Sequence, residues 1–512
     1  MGAPRKCQVG LSAILTLLLL GAGMPTASAA VSLDKLDFST EVGVRKGYNE
    51  YLKPEMKVQT KWSGNISDCA PGKTNLEARV ATLKTINFAR KLADLSPIHE
   101  AKGATKRGQA AALIMSAAEN LSHEPQNDWP CYSTLGAQGA ASSNLYWSSI
   151  RQTAAYWVLG YLDDYGTGNN RVEHRNWILN PETSTMGFGI TPNTSALVVT
   201  GDGIGKTNPG AAGGVAWPSA GYFPVDLVPT SNRWSYTQKG LQNYGGDVTV
   251  SKNGVNIGLR PVEYFGANAA GATTIVWNMP KIEPPKPGNT DTYTIAITGV
   301  NPPVPVYEVT VIPTALPTPK VKINDTTKDN GKTVNLAKIG KVVSTSVQLL
   351  DTNTDKYVSY PPDIKLSYKW YRDGDPIPGA YDATRKMTAA DAGRFISVKV
   401  TASAPGYSDV SDTSAKVWVA QGVFTAGQAA ISGKAQVGNT LYAKKSEFTP
   451  SPSVITYQWY RNGMPIKGAT KKQYVVKAED KGKSIKVKIT AKRDGYATVT
   501  KASKAYVVQK AK

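Results

Sequence analysis

Histidine and cysteine are scarce in this chain of 512 residues, which contains three of each. Cys7 lies close to the N-terminus, and the other two cysteines are Cys69 and Cys131. No Cys-x-x-Cys pair or other close cysteine spacing occurs, which excludes a structural zinc site built on thiolates. The sequence also lacks a Gly-x-Ser-x-Gly motif, so it gives no sign of a serine hydrolase with that nucleophile turn.

Long apolar runs are also missing. The most extended one, Leu11 to Ala22, has about a dozen residues, fewer than the ~20 that a membrane-spanning helix needs. Arg5 and Lys6 precede it and Ala27-Ser28-Ala29 follow it, a pattern typical of a secretory signal peptide cut near Ala29. We therefore expect residues 1–29 to be removed and the mature chain to be secreted without a transmembrane segment. In the secreted mature chain, the two remaining cysteines, Cys69 and Cys131, form one disulfide or stay as separate thiols.

The net charge of +21 is unevenly distributed along the chain. Residues 421–512 hold 18 lysines and arginines against 4 acidic residues, a net charge of +14. A basic extracellular surface attracts anionic wall polymers, lipid head groups or DNA, although a merely solvated basic face is an equal alternative. Nucleic acid is not favoured, because no binding module and no interleaving of aromatic and basic residues is present.

Pattern changes divide the mature chain into several regions. Residues 30–72 form a mixed N-terminal extension, and helical periodicity followed by short strands covers residues 73–205. A β pattern covers residues 215–313, and the Pro-rich stretch that starts at Ile312 predicts a stiff extended linker. Asn253-Gly254 predicts a tight hairpin turn within the β region.

The clearest helical periodicity of residues 73–205 lies at the start of this region. Leu76, Val80, Leu83 and Ile86 recur at helical spacing, and Thr74 with Glu77 predicts a capping box. Two further helices are predicted over about 105–121 and 148–162. Two strands, 186–190 and 196–200, are predicted to follow.

The last third is an internal repeat, predicted as units 314–420 and 421–512. Tyr368-Lys-Trp-Tyr-Arg-Asp-Gly374 returns as Tyr457-Gln-Trp-Tyr-Arg-Asn-Gly463, 89 residues later. The length and the period-2 strands favour a small β-sandwich with Trp370 and Trp459 in its core, rather than stacked on carbohydrate. Both units resemble the tandem immunoglobulin-like repeats of secreted bacterial proteins, although Tyr381 stands where their signature has Thr. The resemblance implies a spacer or adhesive module.

Residues 76 to about 200 resemble the CAP (SCP-like) domain, because its motifs occur in order: Asn87-Phe-Ala-Arg90, Leu121-Ser-His123, Ser142-Ser-Asn-Leu145, His174-Arg-Asn-Trp-Ile-Leu179 and a Gly-x-Gly strand. The resemblance implies an α-β-α sandwich with a cleft that two histidines and two acidic residues line. His123 and His174 take the histidine positions. Residues 215–313 resemble the β-rich companion that follows such domains.

The chain departs from the family at one acidic position. Where the family commonly has Gly-Glu-Asn, this chain has Ser142-Ser143-Asn144, so Ser143 replaces a carboxylate. The second acid is Asp164 or its neighbour Asp163, with Glu173 as another candidate. Glu119 also substitutes if the second helix extends far enough to place it beside His123. The third histidine, His99, is predicted to lie on the surface.

We expect the cleft to comprise His123, His174, Ser143, Asn144 and Asp164. Two neutral imidazoles and a carboxylate can hold a divalent cation such as zinc, act as general acid and base, or only form hydrogen bonds. The favoured hypothesis is a secreted cell-envelope binding protein rather than an enzyme. Its partners would be anionic cell-wall polymers or peptidoglycan, and a small hydrophobic or peptide ligand. The alternative is a cell-wall or peptide hydrolase.

The predicted fold is therefore multidomain α+β. A CAP-like α-β-α sandwich comes first, and all-β domains follow, the last two of them immunoglobulin-like β-sandwiches.

Overall fold

The computed structural model describes residues 31–206, 213–286, 288–328, 335–351, 355–360, 363–444 and 447–509. The predicted signal peptide lies outside these ranges. Within them, no helix is both long and apolar enough to cross a membrane.

The N-terminal part of the described chain is an α-β-α sandwich. Its mixed sheet has the strand order β1-β3-β4-β2, with β1 parallel to β3 and the other pairs antiparallel. The elements are α1 Glu41–Lys46, α2 Leu76–Leu92, β1 His99–Glu100, α3 Lys102–Ala118, α4 Thr134–Ala141, β2 Ser143–Trp147, α5 Ala154–Asp163, α6 Glu173–Ile178, β3 Thr185–Ile190 and β4 Thr194–Val198.

Strand β3 explains why helices cover both faces of this sheet. Side chains alternate between the faces of a strand. Gly187 and Gly189 face α3, where an added Cβ at Gly189 would lie 2.1 Å from the backbone nitrogen of Gln109. Phe188 points to the other face and is buried in the same core as Trp157 of α5. The glycines let α3 approach the backbone, and the large residue fills the opposite layer.

Helix α2 begins where the sequence predicts, and Ile86 among its periodic apolar positions is buried, but the first two of these positions are exposed. Leu76 and Val80 are 64% and 44% exposed, while Ala78 and Ala81 are buried. The predicted capping box is also wrong, because the Thr74 hydroxyl donates to Gln109 Oε1 at 2.8 Å instead of capping the helix. In the first turns of α2 small residues face the core, because Ala78 and Ala81 pack closely against Ala154 of α5.

The other helices differ from the sequence expectation in their bounds. Helix α3 covers 102–118 rather than 105–121, and α5 starts at Ala154 rather than near residue 148. Helix α4 was not predicted at all, since its eight residues include two glycines. Both predicted strands are present, as Thr185–Ile190 and Thr194–Val198.

The companion domain consists of two sheets, ordered β10-β11-β7-β5 and β6-β13-β12-β8-β9. Asn253 and Gly254 form the predicted two-residue turn, both with positive φ. The strands are β5 Val215–Trp217, β6 Gly221–Pro224, β7 Arg233–Gln238, β8 Gln242–Lys252, β9 Val255–Leu259, β10 Val262–Ala267, β11 Thr273–Asn278, β12 Asp291–Asn301 and β13 Tyr307–Ile312.

One continuous apolar cluster joins this companion domain to the sandwich and to the N-terminal extension. It runs from Leu33 through Trp157 and Trp217 to Ile312. The predicted linker is extended but not free, because Thr314 is buried and its carbonyl accepts a bond of 2.8 Å from Asn49 Nδ2. The three regions therefore form one packed body.

The two repeats are β-sandwiches with separate cores. Trp370 and Trp459 are fully buried, as predicted. Repeat 1 contains β14 Thr318–Ile323, β15 Thr327–Lys328, β16 Asn335–Lys338, β17 Val342–Asp351, β18 Lys356–Val358, β19 Lys365–Arg372, β20 Asp375–Pro376, β21 Thr384–Lys386, β22 Phe395–Ser403, β23 Val410–Thr413 and β24 Val417–Ala420. Repeat 2 contains β25 Thr425–Ala426, β26 Ala430–Ser432, β27 Thr440–Lys444, β28 Phe448–Thr449, β29 Val454–Arg461, β30 Met464–Pro465, β31 Gln473–Val475, β32 Ser484–Lys492, β33 Val499–Ala502 and β34 Tyr506–Val507.

A Gly-Tyr loop docks each repeat on the part of the chain before it. In repeat 1, Gly406 contacts helix α1 and the Arg45 guanidinium lies 3.9 Å from the centre of the Tyr407 ring. In repeat 2, the equivalent Gly495 leaves so little space that an added Cβ would lie 2.8 Å from Ala389 Cα. Both glycines have φ near +78°, which glycine adopts without strain.

Candidate functional site

His174 is fixed by the carboxylate of Asp164. Helix α5 ends at Asp163, and Asp164 follows in the left-handed region with φ 50°. This turn places Asp164 Oδ1 2.6 Å from His174 Nδ1, while Oδ2 accepts the Arg175 N–H at 3.0 Å. Because the carboxylate can only accept, Nδ1 of a neutral His174 carries the proton and Nε2 keeps a free lone pair.

Two further contacts hold the same segment. Asn144 Nδ2 donates to the His174 carbonyl at 3.0 Å. The Tyr161 hydroxyl donates to the Asn144 carbonyl at 2.9 Å, and its ring centre lies 5.5 Å from that of His174. Burial raises the pKa of Tyr161, so this hydroxyl stays protonated and keeps donating. Asn144 therefore links β2 to the start of α6.

His123 lies in the loop between α3 and α4. Its Nδ1 is 2.9 Å from the Ala140 carbonyl. A carbonyl can only accept, so the proton of a neutral His123 also sits on Nδ1 and Nε2 is free. Each histidine thus has its Nδ1 engaged and its Nε2 available as a base or ligand.

The proposed substitution by Glu119 is wrong. Helix α3 ends at Ala118, and Glu119 follows it with φ 50° and an exposed side chain. His123 is therefore not on the helix, and the two residues do not share a helical face. Ser143 is buried, and its hydroxyl donates to the Gly139 carbonyl at 2.6 Å.

The remaining acidic candidates point to the companion domain. Asp163 Oδ1 accepts the Ser231 N–H at 2.8 Å, and Glu173 Oε2 accepts the Ala269 N–H at 3.0 Å. Of the acids considered, Asp164 is the one that contacts a candidate histidine. His99 is exposed in β1, as predicted.

Sequence reasoning missed Arg175, which lies next to His174 and is fully buried. Its Nε donates to the Leu162 carbonyl at 2.7 Å, and one terminal nitrogen donates to the Arg233 carbonyl at 3.0 Å. Burial lowers the pKa of Arg175 to about 10, although the nearby Asp164 charge opposes this. The side chain thereby ties the candidate site to strand β7 of the companion domain. No periodicity in the sequence distinguishes it from an exposed arginine.

The residues in the described ranges include no group of three or more His, Cys, Asp or Glu arranged around a metal ion. The Asp164 carboxylate is bound to Nδ1 of His174, and Nδ1 of His123 is bound to a carbonyl. The Nε2 atoms of His123 and His174 are therefore the two atoms left to bind a metal ion. Catalytic zinc sites use three protein ligands, so this donor set does not fit such a site.

Cys69 and Cys131 form a disulfide, with Cα atoms 4.9 Å apart and a sequence separation of 62. The bond connects the N-terminal extension to the loop that carries His123. The disulfide therefore limits how far that loop can move away from the sandwich.

The family model of the cysteine-rich secretory protein (CAP) family matches residues 83–202. No curated protein matches the chain significantly. Among solved structures, the ICAM-5 D1–D4 ectodomain fragment covers 64% of this chain and 92% of its own, with 11% identity and a TM-score of 0.27.

Two adhesion proteins are also similar. A Ca²⁺-stabilised adhesin of an ice-binding Antarctic bacterium covers 58% of this chain and 69% of its own, with 13% identity and a TM-score of 0.23. A tetra-tandem repeat from the extending region of a large adhesion protein covers 54% of this chain and 70% of its own, with 13% identity and a TM-score of 0.26. TM-scores this low say nothing about the function of this chain.

Proposed function

We propose that this chain, which carries a CAP domain at residues 83–202 followed by β-sandwich domains, is an extracellular interaction protein that its second repeat holds on anionic cell-wall polymers or peptidoglycan. The predicted signal peptide and the Cys69–Cys131 disulfide support export, because disulfides persist in oxidising compartments. In this proposal the CAP domain presents its cleft to a small hydrophobic or peptide ligand while the repeats provide distance and attachment.

The observation that carries this proposal is a row of lysines on strand β32. Lys486, Lys488 and Lys492 alternate with buried Ile485, Val487, Ile489 and Ala491, so all three project outward. Within the described residues, none of the three forms an ion pair with a carboxylate. The one close ring contact places Lys488 Nζ 4.6 Å from the centre of the Tyr460 ring. Cations that are not paired with carboxylates and lie in a row along one face of a strand suit a linear polyanion.

Repeat 1 provides an internal comparison at the same positions. Its strand β22 has Ser397, Lys399 and Ser403 where β32 has three lysines. Residues 314–420 carry 15 lysines and arginines against 11 acidic residues, a net charge of +4 compared with +14 in repeat 2. The shared fold therefore does not require the extra charge, which supports a separate role for it.

The test replaces Lys486 and Lys492 by serine, the residue that repeat 1 has at both positions. Each lysine contributes about 1 kcal/mol near an anionic surface, so the double variant should bind purified cell walls roughly 30-fold more weakly. Cosedimentation of the full chain with walls at a fixed salt concentration measures the change.

The matched control is Lys467→Ser with Lys481→Ser, which removes the same charge from exposed turns of repeat 2. We expect it to weaken binding less than fivefold. Equal losses in both variants would mean that net charge, and not the row on β32, sets the affinity. Binding unchanged in both would contradict wall attachment through repeat 2.

The fixed geometry of His174 favours a second candidate function, a cell-wall or peptide hydrolase in which Nε2 acts as general base. A carboxylate on Nδ1 orients the imidazole and stabilises its protonated form, and general base catalysis contributes 10²–10⁴-fold. The test is release of soluble fragments from peptidoglycan by the full chain and by His174→Gln. Release that falls about a hundredfold in the variant supports the hydrolase; no release by the native chain contradicts it.

Binding of a divalent cation between His123 and His174 is a proposal of its own, with Zn²⁺ as the probe. Isothermal titration calorimetry compares the full chain with a His123→Ala/His174→Ala double variant. A single site that the variant loses supports a labile zinc centre. Equal heats in both proteins would contradict it.

A further inference from the structure

A groove of about 440 Å³ separates helix α5 from residues 226–230 of the companion domain. Its wall combines aromatic rings and carboxylates, namely those of Tyr146, Tyr156, Tyr165, Trp217, Asp163 and Asp226. No lysine, arginine or histidine is among the described residues that line it. In a chain with a net charge of +21, this is an unusual local environment.

The rings enclose the groove from several directions. Tyr165 and Tyr156 are 71% and 41% exposed, whereas Trp217 is buried. The Tyr146 and Tyr156 ring centres lie 6.2 Å apart with their planes at 76°. Gly160 makes this possible, since an added Cβ there would lie 2.7 Å from the Tyr146 ring. A ligand in the groove therefore meets ring faces and edges rather than a single flat surface.

The two carboxylates are held by neutral donors. Asp163 accepts the Ser231 N–H at 2.8 Å and the Thr230 hydroxyl, and Asp226 accepts the Thr314 hydroxyl. In the described part of the chain, neither carboxylate forms an ion pair. The buried Arg175 donates to the Asp163 carbonyl oxygen at 3.2 Å rather than to its carboxylate, although the Asp163 charge acts on Arg175 through space and raises the pKa of the guanidinium.

The negative charge of Asp163 affects Tyr146, one of the aromatic residues that line the groove. Burial, the neighbouring Tyr156 and the Asp163 charge together raise the pKa of Tyr146 to about 12. Asp163 and Asp164 are adjacent in sequence, but their side chains lie in different sites. Asp164 contacts His174, and Asp163 lines the groove, so the groove is distinct from the histidine site.

The charge balance selects the ligand. An anion would be repelled, and a neutral apolar ligand would cover two carboxylates without compensating them. An ammonium group placed over tyrosine faces gains from the ring quadrupoles, and the carboxylates offset its charge. We infer that this groove binds a quaternary ammonium group of the kind that choline carries.

The test compares choline with its uncharged isostere 3,3-dimethyl-1-butanol, using calorimetry on the full chain. The two molecules have the same shape, so a difference reports the charge. We expect choline to bind at least tenfold more tightly. Phosphocholine as a third probe distinguishes a free cation from a zwitterionic head group: a similar affinity assigns the groove to head groups, and a weaker one to free cations.

Variants then locate the binding. Tyr165→Ala should weaken choline binding about fivefold and Tyr165→Phe should retain it, because the ring and not the hydroxyl contacts the cation. Asp226→Asn, at an exposed position, should also weaken binding at least fivefold. Tyr244→Ala removes an equally exposed tyrosine (68%) from strand β8 and should change nothing.

Thermal melts of all four variants verify that each one is folded. Equal binding of choline and the isostere would overturn the inference. So would unchanged choline affinity in folded Tyr165→Ala, or no binding of choline at 10 mM.

Discussion

Replacing Arg175 by methionine should loosen the junction between the CAP domain and its companion. The guanidinium donates four hydrogen bonds, to the Leu162, Arg233 and Asp163 carbonyls and to the Ser235 hydroxyl, at 2.7 to 3.2 Å. Methionine fills the volume but removes the guanidinium donor from the Leu162 and Arg233 carbonyls, while the Asp163 carbonyl keeps the Ser231 hydroxyl as a donor, and the buried Asp164 loses the nearby positive charge of Arg175. Breaking a buried charged contact of this kind costs about 3–5 kcal/mol.

Amide hydrogen exchange measures this loss segment by segment. A loss of about 4 kcal/mol corresponds to roughly a thousandfold faster exchange. We expect α5 and β7 to lose protection together, because Arg175 links them, while repeat 2 keeps its protection and serves as an internal reference. The control Arg171→Met removes an exposed arginine whose contact is with the Tyr264 ring, 5.3 Å away, and should change exchange less than tenfold. Loss confined to α6, or equal effects of both variants, would refute the reasoning.

Three further predictions test other parts of the fold. Cys69→Ser/Cys131→Ser opens the loop that the disulfide closes over a sequence separation of 62 and should lower the free energy of unfolding by about 4 kcal/mol in urea titrations; an unchanged free energy of unfolding would contradict this. Gly495→Ala should swing repeat 2 away from repeat 1 and raise the radius of gyration in X-ray scattering, whereas Gly468→Ala, also at positive φ but facing open space, should not. Burial raises the pKa of Asp391, but hydrogen bonds from two arginines and the backbone outweigh it and the net pKa is lowered. The stability that this carboxylate gives repeat 1 is therefore present above about pH 4 and is lost as the pH falls further; acid unfolding of Asp391→Asn that matches the native chain would contradict this.

The order of the domains was accessible from the sequence, because it depends on local patterns. The 89-residue offset revealed the repeats, and the buried Trp370 and Trp459 occupy the predicted core positions. The buried face of α2 could be predicted from the sequence only in part. Ile86 follows the helical periodicity and is buried, but Leu76 and Val80 follow it and are exposed, because Ala78 and Ala81 pack against Ala154 of α5 at the start of the helix. Short alanine and glycine helices such as α4 give no apolar periodicity to detect.

The candidate site was only partly predictable for a similar reason. The order of family motifs pointed to His123 and His174, but the choice among four acids depended on backbone geometry. Asp164 contacts His174 because it sits in a left-handed turn, a conformation that aspartate adopts more readily than most residues but that the sequence does not assign to Asp164 rather than to Asp163. The prediction that Glu119 replaces the missing carboxylate was wrong, because helix α3 ends one residue before it, at Ala118. The burial of Arg175 comes from the companion domain, which lies 58 residues further along the chain at Arg233.

Attachment through repeat 2 is the central claim, and wall binding with and without residues 421–512 tests it most directly. The segment has its own apolar core, so its removal leaves the other domains intact. We predict that the native chain cosediments with purified walls at 0.05 M salt, is released near 0.5 M as the charges are screened, and loses retention on deletion. Retention that is unchanged by the deletion would contradict the account.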